Sequence, residues 1–272
     1  MQVSLTKHHG LGNDFLVYNR AQGEIAGEWP HRALEWCHRE SGIGADGLLL
    51  LGIENDTTLS MRLYNADGSV AEMSGNGIRC LVQAAHSTLG NNAGTTYEVI
   101  TDAGVREVTV VSHHSDEQIL VRVDMGEVSD LNAPSNWHEL QCDPLRPVRH
   151  VSLGNPHSVV GVDDVVSVDL ASLGAVVPHI NLEIIQPGPE NNAITMRVHE
   201  RGAGITQACG TGACASAWAA VLWGLVPAKS SEVIVHMDGG DVRVKVNVPQ
   251  TGHVTLIGPA EHVSTHKAEI VL

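Results

Sequence analysis

Ser74-Gly75-Asn76-Gly77-Ile78-Arg79-Cys80, led in by Asn65-Ala66-Asp67-Gly68-Ser69, lies 135 positions before Cys209-Gly210-Thr211-Gly212-Ala213-Cys214, itself led in by Glu200-Arg201-Gly202. The two stretches align without a gap. The match extends outward, with Met61-Arg62 falling on Met196-Arg197 and Ala84-Ala85 on Ala219-Ala220. The offset is close to half of the 272 residues, so the chain reads as one ancestral unit used twice. In each copy Ser74 or Cys209 stands at an N-cap position, followed by Gly-x-Gly and an apolar-periodic run, 78–89 or 213–225. The first N–H groups of a helix lack internal partners and carry partial positive charge, and glycine lets an anion approach them closely. Singly, each stretch is an ordinary capped helix. Twice at matched positions, with a thiol in one, they read as two anion-binding helix starts. They would share one carboxylate and present Ser74 and Cys209 to the carbon beside it.

Composition narrows the class. The formal charge of −15 excludes nucleic acid and anionic membranes as expected partners. An anionic ligand must then be held by local dipoles or a placed arginine. Phe, Trp and Tyr together make up only 3% of the chain, so Val, Leu, Ile and Ala must fill the core. The five cysteines, Cys37, Cys80, Cys142, Cys209 and Cys214, are odd in number and lack zinc spacing, which argues against a disulfide framework. Cys209 and Cys214 lie about 140° apart around a helix and do not share a ligand. No charged-then-apolar leader and no membrane-length apolar run are present, so a cytoplasmic location without membrane attachment is expected.

Along the chain, short strands are predicted at 3–8 and 15–18 around a turn over 9–14. A helix follows at 29–40, with Pro30 in its first turn. Gly42-Ile43-Gly44-Ala45-Asp46-Gly47 matches G-x-G-x-x-G, but it follows a helix and precedes a strand (48–53). That is the reverse of a dinucleotide site. Further strands are predicted at 59–64, 97–101, 106–112, 118–125, within 151–162, at 180–185, 194–199, 231–236, 241–248, 253–257 and 269–272. The Pro-, Asn- and Asp-rich segment 129–147 reads as loop. His113 and His114 lie in a polar turn, and no Cys/His ligand set supports a metal. The whole reads as two α/β domains facing each other.

The site chemistry follows from a shared carboxylate. The α-carbon beside it would sit between Ser74 and Cys209. Taking its proton from one face and returning one to the other inverts the centre, and this needs an acid and a base on opposite faces. A thiol suits the task because helix starts lower thiol pKa values, and the helix dipoles stabilise the charge that develops on the carboxylate. Lysines are few and none stands in a Schiff-base context, so no pyridoxal cofactor and no metal is expected.

The segments His9-Gly-Leu-Gly-Asn13-Asp-Phe15, 42–47, 65–69, Gly75-Asn-Gly77-Ile-Arg79-Cys, Gly154-Asn155-Pro-His157, Glu200-Arg201-Gly, Ala208-Cys209-Gly-Thr-Gly212 and Gly258-Pro259-Ala260 together resemble the diaminopimelate epimerases. These are cofactor-independent, two-thiol amino-acid epimerases, and the resemblance spans nearly the whole chain. It implies an α/β fold of two pseudo-symmetric domains, each a curved, mostly antiparallel sheet around a central helix. The expected division is 1–116, completed by a last strand within 262–272, and 117–261, with the active site in the cleft between. It also implies a homodimer and interconversion of LL- and meso-diaminopimelate, a step toward lysine and cell-wall precursors.

Gly75, Asn76, Gly210 and Thr211 match the backbone that holds the reacting carboxylate. Asn13, Asn65, Asn155, Asn181, Glu200 and Arg201 match the positions that read the other amino and carboxyl groups, with His157 and Glu200 as auxiliary catalytic groups. Amides pair with both donors and acceptors of a zwitterion, and arginine takes a carboxylate bidentately.

The family pattern carries Cys where this chain has Ser74, and a hydroxyl is a far weaker acid than a thiol. An introduced Cys→Ser change and a natural variant both fit; the intact surroundings favour the former. Ile205 stands where Glu is usual, and the segment before Asn181 is shorter than usual. The competing readings are a lyase, or an epimerase of a hydroxylated amino acid, using the Ser/Cys pair, and a non-catalytic amino-acid-binding relative.

Overall fold

In the computed structural model of the chain, which describes residues 2–23, 25, 28–115, 117–247 and 252–269, the N-terminal alternation forms an antiparallel hairpin of β1 (Gln2–Gly10) and β2 (Asn13–Asn19). Its turn is only Leu11-Gly12, with φ of 57° and 82°, the signs a tight two-residue hairpin needs. The flanks of the expected longer turn, Asn13 and Asp14, are therefore strand. Helix α1 (Trp29–Cys37) starts with Pro30 in its first turn and ends three residues before the expected Glu40. The chain folds straight back over its last turn: the N–H groups of Ile43 and Gly44 donate to the Trp36 carbonyl and that of Ala45 to Cys37. A Cβ at position 42 would lie 2.3 Å from the Glu35 carbonyl oxygen, so only glycine permits this return.

The apolar run after it is β3 (Gly47–Ile53), parallel to β2 and antiparallel to β4 (Thr58–Asn65). Leu48 and Leu50 pack with Ala33, Trp36 and Cys37 of α1. A short β5 (Val70–Ala71) pairs with β4 and leads into α2 (Gly75–Leu89). This helix packs against β1, β2, β3 and β4, and every residue from Gly75 to His86 is buried. Then β6 (Thr96–Thr101) pairs parallel with β4, β7 (Gly104–His113) antiparallel with β6, and β8 (Gln118–Glu127) with β7.

The second half repeats this order. After β9 (Ser129–Asp130), the antiparallel pair β10 (Val148–Ser152) and β11 (Pro156–Gly161) is followed by helix α3 (Leu170–Val176). Then come β12 (Asn181–Pro187), parallel to β11, and β13 (Ala193–Glu200), antiparallel to β12. A short β14 (Gly204–Thr206) leads into the buried α4 (Gly210–Leu222). Next, β15 (Val233–Met237) pairs parallel with β13 and β16 (Gly240–Val246) antiparallel with β15. Strand for strand and helix for helix, this is the arrangement from β1 to β7. The fold is thus mixed α/β, with a mostly antiparallel sheet around one central helix in each half.

Three differences from the sequence reading stand out. The strands expected at 253–257 and 269–272 are parts of one, β17 (His253–Glu269), which pairs first with β16 and from Glu261 onward with β1. Gly258-Pro259 does not break it, because these residues fall between the two registers, where the missing proline N–H costs no ladder bond to either strand. Helix α3, capped by the Asp169 side chain on the Ser172 N–H at 3.2 Å, occupies a stretch with no predicted element. The expected loop 129–147 contains a 3-10 turn, Trp137–Leu140, whose Trp137 and Leu140 pack with Val160, Leu182 and Ile184.

The chain forms two compact units, Met1–Val123 with Gly258–Leu272, and Asp124–Ile257, where the sequence placed the divisions at 116/117 and 261/262. Residue 116, residue 248 of the strand expected at 241–248, and residues 270–272 of the last expected strand lie outside the described residues. No helix among the described residues is long and apolar enough to cross a membrane.

Candidate active site

Each central helix opens on the residue the repeat predicted. Ser74 caps α2 at φ −137°, ψ 127°, and its Oγ accepts the Gly77 N–H at 3.1 Å. Cys209 caps α4 at φ −129°, ψ 113°, and its Sγ accepts the Gly212 N–H at 3.4 Å. The two caps share one backbone geometry. Gly75-Asn76 and Gly210-Thr211 supply the first-turn N–H groups at the positive end of each helix. Ser74 is half-buried, and Cys209 is buried.

In the first unit, Asn76 is held on both sides. Its Nδ2 donates to Asn13 Oδ1 at 3.1 Å, and its Oδ1 accepts from Arg79 Nη2 at 2.9 Å. Arg79 is wholly buried and also donates to the carbonyls of Gly75 and Pro259, each at 3.0 Å. Asn13 Nδ2 in turn donates to Asp46 Oδ2 at 2.6 Å. Asp46 and Asp14 are bridged by Arg39, at 2.6 and 2.8 Å, and Lys7 joins Asp14 at 2.9 Å. The Gly42-to-Gly47 turn, discarded as a phosphate loop, thus supplies Asp46, which orients Asn13. Asn65, exposed at the end of β4, donates to Ser69 Oγ at 2.9 Å.

The second unit repeats the frame with different chemistry. Asn155 takes the place of Asn13 and Thr211 that of Asn76: Asn155 Nδ2 donates to Thr211 Oγ1 at 3.3 Å, and Thr211 Oγ1 lies 3.5 Å from Cys209 Sγ. His157 joins the cluster, with Nε2 2.9 Å from Asn155 Oδ1 and Nδ1 2.6 Å from Glu183 Oε1. Asn181 Nδ2 donates to the Pro156 carbonyl at 3.2 Å, and its Oδ1 accepts the Arg201 N–H at 2.9 Å. Glu200 accepts from the Thr206 hydroxyl. Arg201 and Ile205 are exposed. The predicted residues Asn155, His157, Thr211 and Cys209 therefore form one connected cluster, and Asn13 and Asn76 another. Asn65 and Arg201 stand at the surface beside them.

Electrostatics corrects one expectation. The helix start was expected to lower the Cys209 thiol, yet its pKa lies well above the ordinary value. Burial raises it most, and the carboxylates of Glu200 and Glu183 add to the rise; the Thr211 hydroxyl and Gly212 N–H pull the other way without prevailing. Cys209 rests as a protonated thiol. Burial likewise pushes up the Glu183 carboxyl, against the pull of His157. Among the described residues no group of three His, Cys, Asp or Glu side chains is arranged to hold a metal ion.

A repeated α/β frame with a glycine-rich capped helix at the centre of each half defines a fold shared with solved proteins. One is a phenazine biosynthesis protein of the PhzF family from Bacillus anthracis, at TM-score 0.77 and 15% identity over 99% of this chain and 100% of that one. The sequence comparisons narrow this to an enzyme, an isomerase. The family model described as diaminopimelate epimerase matches residues 5–131 and 149–263. Diaminopimelate epimerases of Thermosynechococcus vestitus (40% identical over 96% of this chain and 97% of that one) and Halothermothrix orenii (38% over 99% of both) align throughout. The chain belongs to the diaminopimelate epimerase family.

Proposed function

We propose that this chain binds diaminopimelate and inverts one of its α-carbons by proton transfer between Ser74 and Cys209, slowly because Ser74 stands where the partner thiol is expected. The matched caps at Ser74 and Cys209, in a chain of this family, carry the reading. The reacting carboxylate would lie on the first-turn N–H groups of Gly75, Asn76, Gly210 and Thr211. A base on one face takes the α-proton, and the C–H electron pair is delocalised onto the carboxylate. The N–H groups and helix dipoles stabilise that charge. An acid on the other face then returns a proton, inverting the carbon with no net change in electrons or protons.

Cys209, resting as a thiol, would give the proton. To act as base it must first lose one, and Glu200, whose charge reaches it, is the auxiliary acceptor. His157 is the auxiliary group of the buried cluster. Asn13, Asn65, Asn155, Asn181, Glu200 and Arg201 would read the remaining amino and carboxyl groups. Asn13, Asn155 and Asn181 are already held through both ends of their amides, which orders them before ligand arrives. No cofactor enters the scheme. A homodimer, a cytoplasmic location and a place in lysine and cell-wall precursor synthesis complete the proposal.

Ser74 cannot readily become an alkoxide, so it fails as base while keeping the cap. Loss of one acid/base group slows such reactions by about 10²–10⁴-fold. The test is α-proton exchange and epimer formation in deuterated solvent, followed by NMR on LL- and meso-diaminopimelate separately, for the parent chain and for Ser74→Cys. The Cys variant is expected to be faster by that factor on both epimers. An unchanged rate, or water or ammonia released in place of the epimer, would overturn the proposal.

A further inference from the structure

The two units differ most on the outer face of their matched strands. A Cβ on Gly77 would lie 3.5 Å from Leu49 Cδ2, and one on Gly212 would lie 2.8 Å from Glu183 Oε1, so Leu49 and Glu183 are counterparts. Their neighbours, Leu48 and Leu50 in β3 and Leu182 and Ile184 in β12, then face away from the central helices. Tyr18 pairs with Leu50 in the parallel ladder of β2 and β3 as Val160 pairs with Ile184 in that of β11 and β12. Tyr18 is wholly buried. Its ring lies 5.3 Å from that of Trp29, and its hydroxyl donates to the Gly23 carbonyl at 2.8 Å. The ring packs with Leu48, Leu50 and the α1 residues Ala33 and Trp36. In the second unit the same place holds only the two methyl groups of Val160.

Space is left there. A cleft of about 230 Å³ opens over Val160, Leu182 and Ile184, walled by Leu173 of α3 and by Trp137 and Leu140 of the 3-10 turn. The connection that covers this face, 162–180, is shorter than its counterpart, 20–46. Its walls are braced, which holds the cleft open. Trp137 stands edge-on to the His150 ring, with 4.6 Å between centroids, and the Asn136 amide donates to the Val176 carbonyl at the end of α3. At the rim Arg146 is paired with Asp163 at 2.8 Å, and Asp143 adds a second carboxylate. An entering anion would meet more negative than positive charge, as it would over the chain as a whole.

We propose that this cleft is a binding site for a small uncharged aromatic molecule, one ring entering where the first unit places the ring of Tyr18. An apolar cavity of about 150 Å³ holds benzene, so this cleft admits a ring with a substituent directed at the rim. Its walls offer apolar area and few hydrogen-bonding groups, which selects for ring shape and neutrality. Neither Ser74 nor Cys209 borders it. Its floor is the outer face of β11 and β12, the strands whose opposite face carries His157, Asn181 and Glu183. The site therefore stands whether or not the chain epimerises diaminopimelate.

Phenol, the ring that Val160 lacks, is the probe. It is titrated into the parent chain, with carbon-13 methyl NMR of Val160, Leu182 and Ile184 as the readout. Alkylation of Cys142, which lines the cleft, is followed alongside by peptide mass mapping with iodoacetamide. A dissociation constant of about 0.1–1 mM is expected for a ligand of this size, with the three residues' methyls shifting along one curve and Cys142 alkylating more slowly when the cleft is filled. Benzoate, the same ring carrying a charge, should bind at least about tenfold more weakly. Val160→Tyr supplies the ring from the chain and should weaken phenol binding at least about tenfold. Should that variant fail to fold, Val162→Phe, which narrows the cleft from a half-buried position, is expected to give the same loss. Methyls that do not move at about 10 mM phenol, shifts confined to other methyls, or undiminished binding by a folded variant would overturn the site. Benzoate binding as tightly as phenol would overturn its preference for an uncharged ring.

Discussion

Adding one methyl group to each of two equivalent glycines is expected to have opposite consequences. In Gly212→Ala the new Cβ lies 2.8 Å from Glu183 Oε1 and 3.3 Å from both Cβ and Sγ of Cys209. Glu183 cannot retreat, because it is wholly buried and tied to His157 at 2.6 Å. Overpacking of this kind costs about 1–3 kcal/mol, against at most about 1 kcal/mol gained from alanine's helix propensity. Because Glu183 cannot give way, the cost falls in the upper part of that range, and the net loss is about 1–2 kcal/mol. In Gly77→Ala the nearest atoms are Ser74 Cβ at 3.1 Å, Ser74 Oγ at 3.4 Å and Leu49 Cδ2 at 3.5 Å. Ser74 is half-buried and can give slightly, so crowding and propensity nearly cancel. Thermal unfolding by circular dichroism, with urea unfolding by tryptophan fluorescence as a check, should place Gly212→Ala roughly 3–6 °C below Gly77→Ala. A Gly212→Ala protein as stable as its Gly77→Ala counterpart would refute the placement of the Glu183 carboxylate against the first turn of α4.

Two further perturbations test the frame. Arg79→Met removes a wholly buried guanidinium that donates to the Gly75 and Pro259 carbonyls and to Asn76; a loss of about 2–4 kcal/mol is expected in urea unfolding as these buried acceptors lose their donor, with weaker ligand binding as Asn76 loses its hold. His8 is buried, and burial first, then the neighbouring His262, depress its pKa to about 3. The unfolded chain takes up that proton near pH 6.5 and the folded chain does not, so this stability is complete above about pH 6.5 and is lost as pH falls toward 3. His8→Met should therefore lose about 2–3 kcal/mol less than the parent between pH 7.5 and 4.5, read from urea unfolding at each pH.

The duplication was legible because it is written in residue types with narrow roles: a capping hydroxyl or thiol, then Gly-x-Gly, then an apolar run. Those signals located both central helices and Cys209 at the start of the second; Asn155 and Thr211 came from the resemblance to the diaminopimelate epimerases. Long-range geometry was less legible. Gly258-Pro259 reads locally as a break, and only the registers with β16 and β1 show a single strand passing through. Asp46 was hidden in a turn set aside for lacking a phosphate-loop context, although its value lies in orienting Asn13 across 33 residues. Glu183 sits in an apolar strand where alternation allows a solvent-facing acid. The one available signal was its apolar counterpart Leu49, and the repeat offset shifts by a residue there. The raised thiol of Cys209 was out of reach, since the helix start that argues for lowering it is visible in sequence and the enclosure that outweighs it is not.

The account depends on one ligand engaging both helix starts. Titration of the protein with meso-diaminopimelate, followed through the backbone amide resonances of Gly75, Asn76, Gly77, Gly210, Thr211 and Gly212, tests this most directly. All six are predicted to shift along one binding curve, with a single dissociation constant and one ligand per chain. Shifts confined to one helix start, or two curves with different midpoints, would contradict it.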